Sequence, residues 1–437
     1  MANTKKYWSG LDELDGTDAF QEIQSKEFQE QIPVDKFLAD EKLNSTTTGR
    51  RDFLKFMGFS LTAATLAACE TPVIKSIPYT NKPPEITPGV ANYYASSYYD
   101  GMDYANILVK TREGRPIFVK GNAATGIGAG KLNARVIGSV MELYDKARLE
   151  GPTKNGESTS WSDLDTAVSE SINGNGRAVV LSNTIVSPST RKAIESLGAE
   201  HIQYDAISYS ALREAQAASF GVNAVPHYDF TKAKVVVSIA ADFLNSWLTS
   251  TQFAPDYASL RNPNSGSQSK HFQFESVMSM TGTNADVRTM ISPSEEGKVA
   301  AGILAVLKGG AVSNLEVKLS SRVKAAANAL SGSKGESLLI AGTNDLSTQT
   351  IVAAINQLLG NYGTTIDLER PSQAYRGDES AATQLIADMN AGKVTTLITY
   401  GCNPSYDMPN AQAFNSGLAK VSTSVSMNGV ADETASR

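Results

Sequence analysis

Two cysteines and three histidines have the most direct claim to chemistry in this chain, and their number and spacing limit what that chemistry is. A thiolate-held iron-sulfur cluster takes about four cysteines, so Cys69 and Cys402 cannot hold one by themselves. A disulfide between them is conceivable in an exported protein, but Cys69 lies in what reads as a processing signal, which argues against the pairing. His201, His227 and His271 stand far apart, without the short intervals that bring imidazoles onto one metal, and read as surface or hydrogen-bonded core rings. Gly126-Ile127-Gly128-Ala129-Gly130-Lys131 invites a phosphate-loop reading that its spacing refutes. Thr125 stands where such a loop needs its first glycine, and Leu132 replaces the Ser or Thr that would hold magnesium.

The segment with a specific chemical pattern is an address. Arg50-Arg51-Asp52-Phe53-Leu54-Lys55 precedes a moderately apolar run to Ala68, the form of a twin-arginine export signal. Ser60, Thr62 and Thr65 dilute the run, which also falls short of the roughly 20 apolar residues a spanning helix needs. Leu66-Ala67-Ala68-Cys69 resembles a lipobox, in which Cys69 is lipidated and becomes the mature N-terminus; an ordinary cleavage site is the competing reading. Acyl chains contribute about 0.8 kcal/mol per buried methylene, so a lipid on Cys69 would hold a water-soluble body at a membrane surface.

Residues 1–47 precede this signal and carry ten acidic residues against five lysines, with apolar residues thinly spaced among the charges. That composition suits a flexible cytoplasmic leader, disordered or forming short solvated helices. The whole chain of 437 residues has 41% hydrophobic and 19% charged residues and a net charge of −6, without a basic, aromatic-interleaved cluster, which argues against nucleic-acid binding.

Positioning elements follow in order. Residues 48–69 form the signal, and 70–92, with Pro72, Pro78, Pro83, Pro84 and Pro88, an extended linker. Residues 93–150 form a β-rich segment with a hairpin turned at Glu113-Gly114. From Ser160, a helix cap, the texture becomes α/β. Continuous apolar strands at 178–182, 234–240, 337–341 and 395–400, separated by helices such as 208–220, 295–307, 347–358 and 380–390, predict doubly wound, mostly parallel sheets. We divide this part into a first α/β domain, 151–310, and a second, 311–437.

Several stretches together resemble one family. They are residues 7–14 and 50–55, Ile77-Pro78-Tyr79, Glu113-Gly114-Arg115-Pro116-Ile117, Ala241-Asp242-Phe243-Leu244, residues 274–276 and 282–286, Pro293-Ser294-Glu295-Glu296-Gly297, and Tyr400-Gly401-Cys402-Asn403-Pro404. The family is the molybdopterin-oxidoreductase-like subunit of bacterial alternative complex III, often called ActB. The resemblance implies a molybdopterin-oxidoreductase type of fold, export by the Tat translocase and a place on the periplasmic face of the inner membrane. The implied partners are a multihaem cytochrome c and quinol-binding membrane subunits. Family members continue into a cysteine-rich iron-sulfur region, and Asp432-Glu433-Thr434-Ala435 resembles the start of that continuation, so the chain is expected to be the N-terminal part. The resemblance also implies no molybdenum in this part: the cysteine set that active molybdopterin enzymes carry near their start is missing before Gly114.

Three functions compete. The first is a non-catalytic scaffold of a quinol-oxidising complex, with no cofactor in this chain and electron transfer in iron-sulfur clusters elsewhere. Its candidate docking surface is the polar stretch 245–273, with Trp247, Phe253, Tyr257 and Arg261, unless these aromatics pack into their own domain. The second is an active molybdenum or tungsten oxidoreductase. The third is an exported lipoprotein that binds a small ligand at the rim formed by 182–184, 241–242, 342–344 and 401–403. These rim residues contain no nucleophile, base and orienter set.

Overall fold

Glu113 and Gly114 both take left-handed backbone, with φ of 53° and 79°, the conformation that a two-residue hairpin turn demands. They join β2 (Tyr104–Arg112) to β3 (Arg115–Gly121), and β1 (Asn92–Tyr99) pairs antiparallel along β2. The hairpin expected from the sequence is thus part of a three-stranded sheet in the computed structural model, which describes residues 83–437 except Glu85, Ile127, Gly266 and Ser267. Ala105, Ile107, Val119 and Val136 form its small core. A short hairpin, β4 (Thr153–Lys154) with β5 (Glu157–Ser158), leads into the α/β part.

Two four-stranded parallel sheets make up that part. One runs β15 (Thr423–Met427), β14 (Val394–Tyr400), β6 (Arg177–Ser182), β7 (Glu200–Gln203). The other runs β11 (Val287–Met290), β10 (Lys270–Glu275), β9 (Val235–Ile239), β12 (Ser337–Ala341). An antiparallel pair, β8 (Val225–Tyr228) with β13 (Ile366–Ser372), lies outside both.

Alternation along a doubly covered strand accounts for the apolar runs. From β9, Val235, Val237 and Ile239 pack with Val299, Ile303, Val323 and Ile355 of the covering helices. Val236 points the other way, with Leu338 and Ile340 of β12, into a cluster of Phe230, Phe243, Trp247 and Phe253. In the other sheet, Val179, Leu181 and Leu397 meet Leu385, Met389 and Phe414 on one face, while Val180 and Ile398 meet Ile194 on the other.

Strand pairing cuts across a domain boundary at residue 310. β12 belongs beside β9, and β14 beside β6, with Leu397 opposite Val179. The sheet begun at β6 and β7 is therefore completed only by β14 and β15, and the other sheet is inserted between them. A hydrophobic strand carries the same local signature whichever sheet it joins, which is why a contiguous division was read from the sequence.

The polar stretch 245–273 is also corrected. It contains a helix, Ser250–Ser259, with Pro255 inside it, and the start of β10. Trp247, Phe253 and Tyr257 are 4%, 3% and 5% exposed. Phe253 lies 5.0 Å from the Phe230 ring and 5.8 Å from Trp247. The aromatics proposed for docking are core, and among the four residues only Arg261 reaches an ion pair, with Asp286 at 2.8 Å.

Candidate functional site

Arg50, Arg51, Phe53, Leu54, Lys55 and Cys69 lie outside the described residues, so the site that can be built is the rim at the carboxyl ends of the strands. Parallel sheets bind ligands there because loops diverge from the strand ends and leave a crevice.

After β9 the chain turns through Ala240, a non-glycine residue at φ 56°, a conformation that costs an L-residue energy. Its N–H donates to Phe274 O at 2.7 Å. Gly342 packs against the same turn so closely that a Cβ would lie 2.3 Å from Ala240 O. The turn presents Asp242, whose Oδ1 accepts from the N–H and hydroxyl of Thr281 at 3.0 and 2.7 Å. Its Oδ2 accepts from Asn245 and Ser246, both at 3.2 Å. The carboxylate therefore works as a knot between two loops.

At the end of β10, Glu275 is 3% exposed and accepts from Ser279 Oγ (2.6 Å), Gln273 Nε2 (3.0 Å) and Arg288 Nε (2.5 Å). Burial by itself raises its pKa, but the bonds from Ser279 and Arg288 outweigh it and hold the carboxyl below its ordinary range.

The other sheet closes its rim in the same manner. Asp205 accepts from the Thr184 N–H and hydroxyl (2.9 and 2.8 Å) and from the Gly377 N–H (2.9 Å), tying three segments together. Asn403 Oδ1 accepts from the N–H and hydroxyl of Thr434, and its Nδ2 donates to Glu433 at 2.6 Å. Cys402 is 7% exposed, its thiol donates to Leu181 O at 3.4 Å, and burial pushes its pKa up to about 12.

One pair escaped the sequence reading. Parallel pairing of β6 with β7 brings His201 Nε2 to 2.8 Å from Ser182 Oγ. Such a contact is the beginning of a nucleophile and base arrangement, but Ser182 is fully buried and its hydroxyl donates to Asn183 O at 2.6 Å. His201 Nε2 must then be the donor, leaving no lone pair there to take a proton, and burial holds its pKa down. The 19-residue gap between the two hides the contact from any motif. His227 and His271 join no metal set either: among the described residues no three His, Cys, Asp or Glu side chains gather as a metal needs.

No protein-family model matches the chain. In sequence it is 25% identical over 447 aligned residues to the menaquinone reductase, molybdopterin-binding-like subunit of Nitratidesulfovibrio vulgaris (strain Hildenborough), covering 88% of this chain and 64% of that relative. The chain thus spans less than two thirds of the relative's length. In structure it matches acetylene hydratase from Pelobacter acetylenicus with a TM-score of 0.55 and 12% identity, covering 79% of this chain and 60% of that one. The fold is of the molybdopterin-oxidoreductase type.

Such folds raise the question of a pterin-held metal. It would need an available thiolate, hydroxylate or carboxylate at the rim and free donors for its polar edges. Cys402 is a buried thiol already donating inward, and Asp242, Glu275, Asp205 and Asn403 are taken up by neighbouring loops. These side chains do not fit such a centre.

Proposed function

We propose that the chain is a non-catalytic, molybdopterin-oxidoreductase-like scaffold in a membrane-associated quinol-oxidising complex of the alternative complex III kind. On this reading a lipid on Cys69 holds it at the periplasmic face after twin-arginine export. Electrons pass through iron-sulfur clusters in a further C-terminal region and through partner subunits, a multihaem cytochrome c and quinol-binding membrane proteins among them. The likeness to a subunit of a menaquinone reductase supports the respiratory setting. The observation that carries the non-catalytic half is the closed rim, where Asp242 and Glu275 spend their oxygens on Thr281, Ser279 and Arg288.

Purification from membranes of the source cell, followed by metal analysis, tests both halves. The expected outcome is co-purification with c-type haem and quinone-reactive subunits, less than stoichiometric molybdenum or tungsten, and an acylated N-terminus at Cys69. Stoichiometric molybdenum with a bound pterin would replace this reading with an active oxidoreductase, and isolation without any redox partner would remove the assembly role.

A further inference from the structure

A cavity of about 340 Å³ opens between the start of β8 and the segment that follows β13, bounded among others by Arg213, Asn223, Val225, Gln373, Tyr375 and Arg376. No acidic residue lines it. Arg213 uses one guanidinium nitrogen to donate to Gly377 O at 2.6 Å, and its remaining N–H groups are uncommitted among the described residues. The Arg376 side chain has no partner among the described residues, and neither guanidinium pairs with a carboxylate there. Arg191, on the helix Pro188–Ser196, adds a third positive charge nearby. Burial first, then Arg191 and Arg213, pulls the Arg376 pKa below its ordinary value. All three arginines are half-buried, so their mutual repulsion is not simply lost to solvent.

The backbone holds this arrangement in place. Tyr375 sits at φ 60° and is 4% exposed. Left-handed backbone at an aromatic residue is a strained choice. It is held by the Tyr375 hydroxyl, 2.6 Å from Met102 O and 3.1 Å from Leu248 O, and by edge contact of its ring with Tyr209 at 4.7 Å. On its far side the Arg376 N–H donates to Thr184 Oγ1 at 2.6 Å. Arg376 is thereby fixed at the cavity at both ends of its peptide.

Repelling guanidiniums kept together in a half-buried pocket without a counter-charge are a cost to the folded chain unless an anion joins them. Guanidinium forks match the geometry of phosphate and carboxylate oxygens. The Asn223 and Gln373 amides add donors, Val225 and the Tyr375 ring add apolar wall, and the volume falls in the range of small-molecule sites. We propose that this cavity binds a small oxyanion, the phosphate or carboxylate group of a soluble metabolite, between Arg213 and Arg376. This stands apart from the scaffold reading, since it needs neither a metal nor a redox partner.

Isothermal titration of the full-length protein with inorganic phosphate and, separately, with succinate tests the site. The expected result is one saturable site for at least one of the two anions, with the preferred anion telling a phosphoryl ligand from a carboxylate. Arg376→Gln is expected to weaken binding about tenfold or more and Arg376→Lys to retain part of it; without anion, Arg376→Gln, which relieves the repulsion from Arg191 and Arg213, is expected to unfold no lower than wild type. Arg213→Gln gives a second loss of binding from the opposite wall. Absence of saturable heat from both anions, or equal affinity in wild type and Arg376→Gln, overturns the proposal.

Discussion

The hydroxyl of Tyr257 lies 3.1 Å from Nδ1 of His271, inside the core. Which nitrogen of the ring carries the proton follows from a ladder of side chains along β10. Gln273 donates its amide N–H to Glu275 at 3.0 Å, so its Oε1, 3.2 Å from His271 Nε2, must accept. Nε2 therefore bears the hydrogen, and Nδ1 is left as an acceptor that shares the single Tyr257 hydroxyl hydrogen with Asn284 O, 3.2 Å from the same oxygen.

His271 is fully buried, and burial lowers its pKa to about 4. The unfolded ring titrates near ~6.5, so between that pH and about 4 the unfolded chain holds a proton that the folded one refuses. Stability from this site is complete above the window and falls with pH through it, by at most ~3 kcal/mol. Asp256 works against it: burial raises its pKa to about 6, so the folded state is favoured by protonation there as pH falls. The contribution of His271 is therefore read as a difference. The gap in urea stability between wild type and His271→Gln should shrink as pH drops from neutral towards 4, and a gap independent of pH would contradict the buried neutral ring.

Glu275 and Gly282 touch so closely that a Cβ on the glycine would fall 1.8 Å from Oε1. Gly282→Ala must push the carboxylate off Arg288 and Ser279, and Arg288→Met strips its cation directly. Each is expected to cost about 3 kcal/mol in chemical unfolding, the usual range for breaking a buried pair from one side. Because both act by releasing the same carboxylate, the double variant should lose clearly less than the sum. Strict additivity would show that Glu275 is not the shared element.

Tyr375→Phe removes the hydroxyl that bridges Met102 O and Leu248 O. A loss of about 1–2 kcal/mol is expected from the unsatisfied carbonyls, measured as a lowered midpoint in thermal or urea unfolding. An unchanged midpoint would mean that the left-handed turn is held by ring packing on Tyr209 alone.

Phe253→Ala separates core from interface. With the ring 3% exposed among Phe230, Trp247 and Tyr228, truncation should destabilise by about 3–5 kcal/mol. Partner recovery in pull-downs, carried out well below the variant's melting point, should stay at the wild-type level. Partner binding lost from a folded variant would return this region to the interface.

Much of the fold can be read from residue type and spacing. The strand at Ser337–Ala341 is found at its observed bounds, and the helix Leu346–Leu358 within one residue, because apolar runs are local signals. β10 was hidden for a physical reason. Its residues Lys270, His271, Gln273 and Glu275 look like a solvated stretch, yet the last three are buried and satisfied by one another and by Tyr257. The alternation with Phe272 and Phe274 was the available strand signal. Ser182 with His201, and Arg213 with Arg376, are joined only by tertiary contact, so no local spacing could bring them together. The rim loops were placed correctly after their strands, but that their polar groups bind one another depends on distant partners such as Thr434 for Asn403.

The pairing of β14 with β6 sets an order of events for a growing chain. Val179 and Leu181 leave the ribosome more than 200 residues before Leu397 and Thr399, their neighbours in the sheet. Until then β6 has β7 on one side and an open hydrogen-bonding edge on the other, a surface prone to wrong association. The inserted sheet around β9 has all its strands once Ala341 is made and its covering helices once Leu359 is made, so it can fold first and wait. A stop codon between Leu359 and Val394 would consequently yield a product with one finished half and one adhesive one, far more damaging than the small fraction of chain removed would suggest.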